Sequence, residues 1–475
     1  MTELWRLSAT EAVALLRARE VSPLEMVEAA AARIEAVEPR VNALPIRFLD
    51  AAREEARRFP PPGAAGPDHP GWLAGLPVAV KDYNDVGGQR TTCGSPLFAD
   101  HVAPADDLTV ATMRARGAIP VAKSNVPEFA GSHTFNTVFG VTRNPWSLGR
   151  SAGGSSGGAA AALAAGEVWL ANGSCLGGSL RIPASFCGVV GLRPSPGVVP
   201  RGVGLPAFDH LWVEGPMART VPDVALFLDA QAAQSRHDPL SRPPPAIPFA
   251  QALRGARPPW RVGFSPDLGL LRVDPEVAAI CRAGAARFAE MGAAVEEAAP
   301  DFSGAVEAFQ ALRALLFAGV RGDLLTRHRD RIAPEIVWNI EKGLALTAEE
   351  VLRAERLRHA LFHRVAAFFE THDLLALPTV AVPPFPVEQR YPAEIGGVPA
   401  TSYIDWMALT FAVTLTACPA LSLPCGTTRE GLPVGLQLVG PPHGEAALLG
   451  AAALLEAALG LAAAVPRDPA SGREA

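Results

Sequence analysis

Two glycine-flanked serine clusters carry the residue types that nucleophilic catalysis needs. Residues 153–158 read GGSSGG, and residues 177–179 read GGS. Glycine lets a loop adopt conformations that other residues avoid, and it lets a substrate approach the backbone closely. A serine in such a loop can present its hydroxyl while neighbouring N–H groups point at a developing oxyanion. The pattern therefore indicates a serine held for nucleophilic chemistry.

A lysine upstream is the candidate for proton transfer. Residues 75–82 read GLPVAVKD, and this short apolar run predicts a buried strand that ends at Lys81. A lone lysine in this position is more often a surface residue at the end of a strand. If Lys81 is buried instead, desolvation disfavours its charged form and lowers its pKa towards neutrality. A lysine in that state is suited to a proton relay.

The segments around these residues predict the elements that must position them. An alanine run at 159–165 predicts a helix between the serine clusters, and the apolar patch at 168–170 predicts a strand. Caps and helical spacing predict helices upstream at 8–19, 22–37 and 50–58, and downstream at 274–291, over most of 305–370 and within 446–464. Further strands are predicted at 260–264, 294–297 and 374–379. Short apolar strands alternating with helices indicate an α/β fold, without fixing the strand order.

Composition excludes several classes of protein. The chain has 475 residues, of which 49% are hydrophobic, which suffices for a large core. Its net charge of −6 argues against a nucleic-acid binder that relies on a basic surface. The six cysteines form no CxxC pair, so we expect buried, reduced thiols in a cytoplasmic protein. We also expect no signal peptide and no membrane span.

The stretch 149–194 resembles the signature of the amidase signature family of serine hydrolases. The family pattern joins GGSSGG, an alanine-rich helix, a GGS(I/L)R segment and a tail that here reads PASFCGVVGLRP at 183–194. Residues 75–82, 118–125, 136–146, 215–223 and 431–440 resemble further family segments. The resemblance implies a single large α/β/α domain, with a mixed twisted sheet flanked by helices on both faces. It also implies cofactor-independent hydrolysis of C–N bonds in linear amides, and possible action on carbamates (urethanes) and some esters.

The resemblance assigns roles to individual residues. Ser179 matches the nucleophile, and Lys81 matches the general base that later supplies the proton to the leaving amine. Ser155 matches the bridging serine, which in the family follows a cis peptide bond. Its separation from Ser179 is the usual one, so Ser156 is expected to support the loop instead. The oxyanion hole would be formed by the backbone N–H groups of Leu176, Gly177, Gly178 and Ser179.

One position departs from the family pattern. The family usually has aspartate four residues before the nucleophile, whereas this chain has Cys175. In the family that carboxylate supports the loop and is a candidate partner for the arginine after the nucleophile, here Arg181. Cysteine supplies no fixed negative charge unless its thiol ionises. Three interpretations remain open: a neutral packing residue, a rewired site with another acid nearby, or a reactive or engineered thiol.

We expect the chain to divide into 1–70 (N-terminal helices), 71–235 (signature core), 236–304 (connection and core elements), 305–411 (helical substrate-pocket region) and 412–475 (core strands and C-terminal helix). The apolar balance of 305–411 favours aryl or bulky substrates. Phe309, Leu316 and Ile340 are candidates for its pocket wall, although each also suits the core. The main pocket candidates are Ser132, Asn136, Cys175, Arg181, Trp338 and Trp406, the last as a lid.

Some variant segments narrow the resemblance, and two alternatives stay open. The Ser-Leu-Arg variant and the segment KDYNDV resemble amidases of bulky or synthetic amides, including cyclic-dimer amide hydrolases and urethane-cleaving members. The first alternative is the glutaminase component of a tRNA-dependent amidotransferase, which needs partner subunits. The second is a catalytically silent scaffold or binding protein. We expect no cofactor and no metal, a small amide or carbamate substrate, no nucleic-acid or membrane partner, and a monomer or homodimer.

Overall fold

The computed structural model describes residues 3–60, 65–202 and 204–471, and its centre is a sheet of eleven strands. The loop predicted at 59–70 lies partly outside these residues. In chain order the strands are β1 (Ile46–Arg47), β2 (Pro77–Lys81), β3 (Ile119–Ser124), β4 (Leu170–Cys175), β5 (Val190–Arg193), β6 (Val213–Ala218), β7 (Arg261–Phe264), β8 (Ala294–Glu297), β9 (Leu374–Pro378), β10 (Ala420–Thr427) and β11 (Pro433–Val439).

The sheet is mixed, and its strand order is β1-β3-β2-β4-β6-β5-β10-β11-β9-β7-β8. β2 lies parallel to both β3 and β4, so the carboxyl ends of these three strands meet at one edge. β7 lies parallel to β8 and β9. The strands from β4 through β6, β5, β10 and β11 to β9 pair antiparallel, as do β1 and β3.

Fourteen α-helices lie in the described residues, and six short 3-10 helices supplement them. The first two α-helices begin with capping boxes, Ser8 with Glu11 and Ser22 with Glu25, as the polar residues before their apolar stripes predicted. The α-helices are Ala9–Ala18, Pro23–Val41, Leu49–Arg57, Leu108–Ala115, Gly157–Ala165, Arg181–Cys187, Val221–Gln231, Phe249–Ala252, Pro275–Glu290, Ala305–His328, Pro334–Leu344, Ala348–Phe368, Ala408–Thr414 and Glu445–Leu459. No helix in these ranges combines the length and the apolar character needed to cross a membrane.

Both faces of the sheet are covered. Successive residues of a strand point to opposite faces. Val78 and Val80 of β2 belong to one apolar cluster, whereas Ala79 belongs to another. The first cluster follows one face along most of the sheet, since it also contains Leu374 of β9, while Leu375 lies in a third cluster. The predicted mixed sheet between two helical layers is therefore confirmed.

The two clusters on the second face meet at the helix Arg181–Cys187. Ile182 and Phe186 of this helix contribute to one cluster, and Ala184 and Cys187 contribute to the other. The helix directly follows the second serine cluster, so the loop at 176–180 is anchored between two packed bodies. The predicted helix over 305–370 is instead three helices, because Pro334 and Thr347 each start a new helix or cap one.

Candidate active site

Lys81 ends β2 inside the protein. Its side chain is fully buried, and its backbone N–H donates to Asn172 Oδ1 of β4 at 2.8 Å. Because β2 and β4 are parallel neighbours, Lys81 and the last residues of β4 meet at the carboxyl edge of the sheet. In α/β proteins, this edge is where ligand sites usually form.

Hydroxyl groups surround the Lys81 amine. Nζ lies 2.9 Å from Ser155 Oγ and 2.7 Å from Ser156 Oγ. It also lies 2.9 Å from Ser174 Oγ and 3.2 Å from the Ser174 carbonyl oxygen. These partners are neutral, so they solvate the amine without stabilising a positive charge as a carboxylate would.

Burial sets the protonation of Lys81. Desolvation lowers the pKa of the Lys81 amine to about 7, although the charges of Glu214 and Cys175 oppose part of this shift. Glu214 is buried on β6 opposite Ser174, and burial raises the pKa of its carboxyl group. Near neutral pH a substantial fraction of Lys81 is therefore uncharged and able to accept a proton.

The two serine clusters are in contact. The backbone N–H of Ser156 donates to the carbonyl oxygen of Ser179 at 3.2 Å. The peptide bond between Gly154 and Ser155 is cis. Ser155, Ser156 and Ser174 are buried, whereas Ser179 is partly exposed. Among these four hydroxyl residues, Ser179 is thus the one that a substrate from outside can reach.

The loop before Ser179 is supported from the helix Ala408–Thr414. Thr410 Oγ1 donates to the carbonyl oxygen of Gly177 at 2.7 Å. Gly178 has a φ of +137°, and a Cβ atom there would collide with Thr410 Oγ1. Both its conformation and its packing therefore require glycine. Within the described residues, the N–H groups of Gly177, Gly178 and Ser179 donate to no protein acceptor, so they are free to bind an oxyanion.

Cys175 and Arg181 lie beneath this loop. Both are fully buried, and Arg181 Nη2 is 3.6 Å from Cys175 Sγ. Arg181 also donates to Gln437 Oε1, to the Thr410 carbonyl oxygen and to Thr414 Oγ1. The arrangement puts these two predicted pocket residues behind the reacting groups.

The other predicted pocket residues lie in different surroundings. Ser132 Oγ is buried without a hydrogen-bond partner in the described residues, and Ser132 packs against Gly154. Asn136 uses its amide to bind Asn125 and the Val126 carbonyl oxygen, both at 2.7 Å, and so it braces a loop. Trp406 is buried against Phe186, and Trp338 is 41% exposed on the surface of its helix.

A cavity of about 280 Å³ adjoins the hydroxyl cluster. Tyr83 forms one wall, and the centre of its ring lies 4.9 Å from Lys81 Nζ. The apolar part of the lining consists of aromatic and aliphatic side chains, and acidic and basic groups border it. The residues that carry the later arguments are Tyr83, Phe129, Trp212, Glu214, Leu316 and Phe317.

Sequence patterns missed several of these residues. Ser174 and Asn172 contact Lys81, and their signal was a run of polar residues inside an otherwise buried strand. Glu214 is an acid directly before the Gly-Pro pair that continues β6. Tyr83 follows the lysine by two residues. Trp212 carried no distinguishing pattern. Of the pocket-wall candidates in 305–411, Leu316 lines the cavity and Phe309 packs against Gly177.

Comparisons with known proteins agree with this geometry. A family model described as Amidase matches residues 25–449. An acylamidase from Rhodococcus erythropolis is 36% identical over 467 residues, which cover 97% of each chain. The glutaminase component of a glutamyl-tRNA(Gln) amidotransferase from Moorella thermoacetica is 39% identical over 480 residues, which cover 96% of this chain and 97% of that protein. The structure of a 6-aminohexanoate cyclic dimer hydrolase complexed with substrate has a TM-score of 0.87 and 31% identity, covering 98% of this chain and 99% of the other.

Proposed function

The chain belongs to the amidase signature family and hydrolyses amide C–N bonds, and from this premise we propose that it does so through a Ser179–Ser155–Lys81 triad. The observation that carries the proposal is the buried Lys81 amine at 2.9 Å from Ser155 Oγ, next to a loop whose Ser179 is partly exposed. No part of this mechanism requires a cofactor.

The first half of the reaction forms an ester on the enzyme. Ser179 Oγ attacks the amide carbonyl carbon, and its proton passes through Ser155 Oγ to the uncharged Lys81 amine. The negative charge that develops on the carbonyl oxygen is stabilised by backbone N–H groups of residues 176–179. The C–N bond then breaks, and the leaving amine receives the proton that Lys81 holds, again through Ser155.

The second half releases the acid. A water molecule attacks the ester carbonyl carbon while Lys81 accepts its proton through Ser155. The tetrahedral intermediate forms in the same oxyanion hole. It collapses by breaking the bond to Ser179 Oγ, which recovers its proton. Each half needs an uncharged Lys81 at its start, so the lowered pKa of this amine supports the assignment.

Ser155 and Ser156 both contact Lys81, and their substitution separates relay from support. We expect Ser155→Ala to lower kcat by about 100- to 1,000-fold, since it interrupts proton transfer. Ser156 Oγ faces β4, where it lies 3.5 Å from the Ser174 carbonyl oxygen. Ser156→Ala should therefore lower the melting temperature and reduce kcat less than about tenfold. Steady-state kinetics with melting curves make the comparison, and the opposite ranking of the two kcat values would refute the relay assignment.

We propose an amide with an aryl or other bulky apolar group as the substrate class, with aryl carbamates as further substrates. Leu316 lies seven residues after Phe309 on one helix, so the two share a face about 10 Å apart. Phe309 packs against Gly177 of the loop, and Leu316 lines the cavity. The cavity thus extends along this helix from the vicinity of the loop. Its aromatic lining suits a flat apolar group.

A matched pair on this helix tests the substrate class. Leu316→Ala should lower kcat/KM for an aryl anilide about tenfold through lost apolar contact, and it should change kcat/KM for acetamide much less. Leu315 is 42% exposed on the same helix, so Leu315→Ala is the control and should leave both values unchanged. The panel contains anilides, alkyl amides, an aryl carbamate and glutamine. A wild-type preference for acetamide over every aryl substrate would reject the aryl class.

The second candidate is the glutaminase component of an amidotransferase, and the 39% identity to such a protein favours keeping it. It predicts ammonia release from glutamine above all other substrates, together with a second chain that co-purifies. The apolar lining of the cavity argues against it, because glutamine offers little apolar surface for Phe129, Trp212 and Phe317 to cover.

We propose a monomer or homodimer in the cytoplasm that acts on small molecules without a nucleic-acid partner. All six cysteines lie in described residues, and none forms a disulfide bond. This supports a reducing compartment. The net charge of −6 disfavours binding to nucleic acid.

A further inference from the structure

Two buried arginines beside the nucleophile loop have no acidic side chain among their hydrogen-bond partners. Arg181 binds the Gln437 amide, a hydroxyl and a carbonyl group, and Arg193 binds the carbonyl oxygens of Cys175 and Leu211. Arg181 Nε, and Arg193 Nε and Nη2, have no partner in the described residues. Two guanidinium groups in a dry interior need negative charge nearby, because the desolvation of each is costly.

Cys175 Sγ is the acidic group that lies between them. It is 3.6 Å from Arg181 Nη2, and the carbonyl oxygen of the same residue is 2.8 Å from Arg193 Nη1. Burial alone raises the pKa of the thiol. The charges of Arg181 and Arg193, with hydrogen bonds from Arg181 and the Leu180 N–H group, outweigh burial and lower the pKa to about 6. Lys81 also faces the sulfur and favours its ionisation while the amine is charged.

We propose that Cys175 is a permanent buried thiolate that serves as the counter-ion of Arg181 and Arg193 and thereby holds the nucleophile loop, residues 176–179, in its reactive conformation. This role rests on the proposed function, since that loop carries Ser179 and the oxyanion donors. Cys175 itself touches no reacting atom, so it is a positioning residue and not a nucleophile. The neutral packing interpretation of this cysteine is thereby replaced.

The contacts give a direct path from the sulfur to the loop. Cys175 precedes the loop, and the Leu180 amide that bonds its sulfur follows the loop, so the thiolate ties both ends together. Arg181 also donates to the carbonyl oxygen of Thr410 at 3.1 Å. Thr410 in turn donates to Gly177. Loss of the negative charge therefore loosens both the loop and the helix that supports it.

The thiolate has a spectroscopic test that does not depend on activity. The ultraviolet absorbance of wild type minus that of Cys175→Ser at about pH 8 should show one thiolate, and the signal should disappear as the pH falls through about 6. Cys187→Ser is the matched control from the helix Arg181–Cys187, and its difference spectrum should show no thiolate. The background is low, because burial raises the pKa of Cys93, Cys187, Cys281 and Cys418.

Stability should follow the same titration. The folded-state pKa lies below the usual value of 9.0, so the thiolate stabilises the fold fully above about pH 9 and loses this effect as the pH falls to about 6. The melting-temperature difference between wild type and Cys175→Ser should shrink over this interval. A difference spectrum without thiolate at about pH 8, or a melting difference that is independent of pH, overturns the proposal.

Kinetics test the positioning role. Cys175→Ser should lower kcat for the best panel substrate by about 10- to 100-fold with little change in KM, because the reacting groups are misplaced. Cys175→Asp restores a negative charge and should recover most of the loss. An aspartate variant no more active than the serine variant overturns the role. If Cys175→Ser does not fold, the aspartate variant should still fold and turn over, and its failure also counts against the proposal. Ser179→Ala separates these outcomes from failure of the triad, since it leaves the thiolate signal intact.

Discussion

Replacement of Ser179 by alanine should lower kcat by about 10,000-fold or more, with the fold unchanged. The hydroxyl is the proposed nucleophile, and the residue is partly exposed, so its removal leaves no buried polar group without a partner. The release of amine or ammonia from the best substrate of the panel is the measurement. Far-ultraviolet circular dichroism and melting curves check the fold.

Ser124→Ala is a matched control for this substitution. Ser124 ends β3 at the same edge of the sheet, and its buried hydroxyl has no hydrogen-bond partner in the described residues. Its removal should leave kcat and the melting temperature unchanged. Activity of Ser179→Ala comparable to that of Ser124→Ala would exclude Ser179 as the nucleophile.

Lys81→Met should lower kcat by a comparable factor, about 10,000-fold, because nothing else in the hydroxyl cluster can take the proton. In wild type, kcat/KM should rise with pH through about 7, as the Lys81 amine loses its proton and becomes able to act as a base. Below that pH the amine is charged and activity falls. The double variant with Ser179→Ala should be no worse than either single variant, since the residues act as one unit.

Lys123 supplies the control for this prediction. It is a buried lysine on the neighbouring strand β3, and its Nζ lies 3.6 Å from Asp82 Oδ1. Lys123→Met should destabilise the fold by about 3–5 kcal/mol, because Asp82 is left buried and unpaired. The folded fraction should nevertheless keep the activity rise near pH 7. Loss of that rise in Lys123→Met, with its retention in Lys81→Met, would assign the base to the wrong lysine.

Much of the fold could be predicted because local signals and tertiary packing agree. Ser8, Ser22 and Asp274 each precede an apolar helical stripe, and each caps the helix that the pattern predicted. The strand order could not be predicted, because it depends on pairings between distant segments. β10 joins β5 of the N-terminal half to β11 of the C-terminal half, and neither contact leaves a periodic signal.

The predictability of the candidate site varied with the kind of residue. Lys81, Ser155 and Ser179 stand in motifs, and the structure brings the lysine and the two serine loops together. Pocket walls depend on which face of a helix points inward. Leu315 and Leu316 are identical in type, yet only the second lines the cavity. Trp406 was expected over the pocket, but it is buried against Phe186 and Phe385, so its role as a lid stays a prediction.

Cys175 shows where a motif comparison needs geometry. As a sequence position it is a departure from an expected carboxylate, and three interpretations fit it equally. The structure adds two guanidinium groups that no carboxylate neutralises and a sulfur between them. The charge requirement of the arginines then decides among the interpretations, because a neutral thiol would leave both uncompensated.

Capture of the acyl-enzyme tests the nucleophile most directly. Wild type is mixed with an activated aryl ester, quenched in acid within the first turnover, digested and analysed by mass spectrometry. The account predicts an acyl group on the peptide that contains Ser179, with fragmentation that assigns it to that residue, and no adduct in Ser179→Ala. An adduct on Ser155, Ser156 or Cys175, or the same adduct yield in Ser179→Ala, would contradict it.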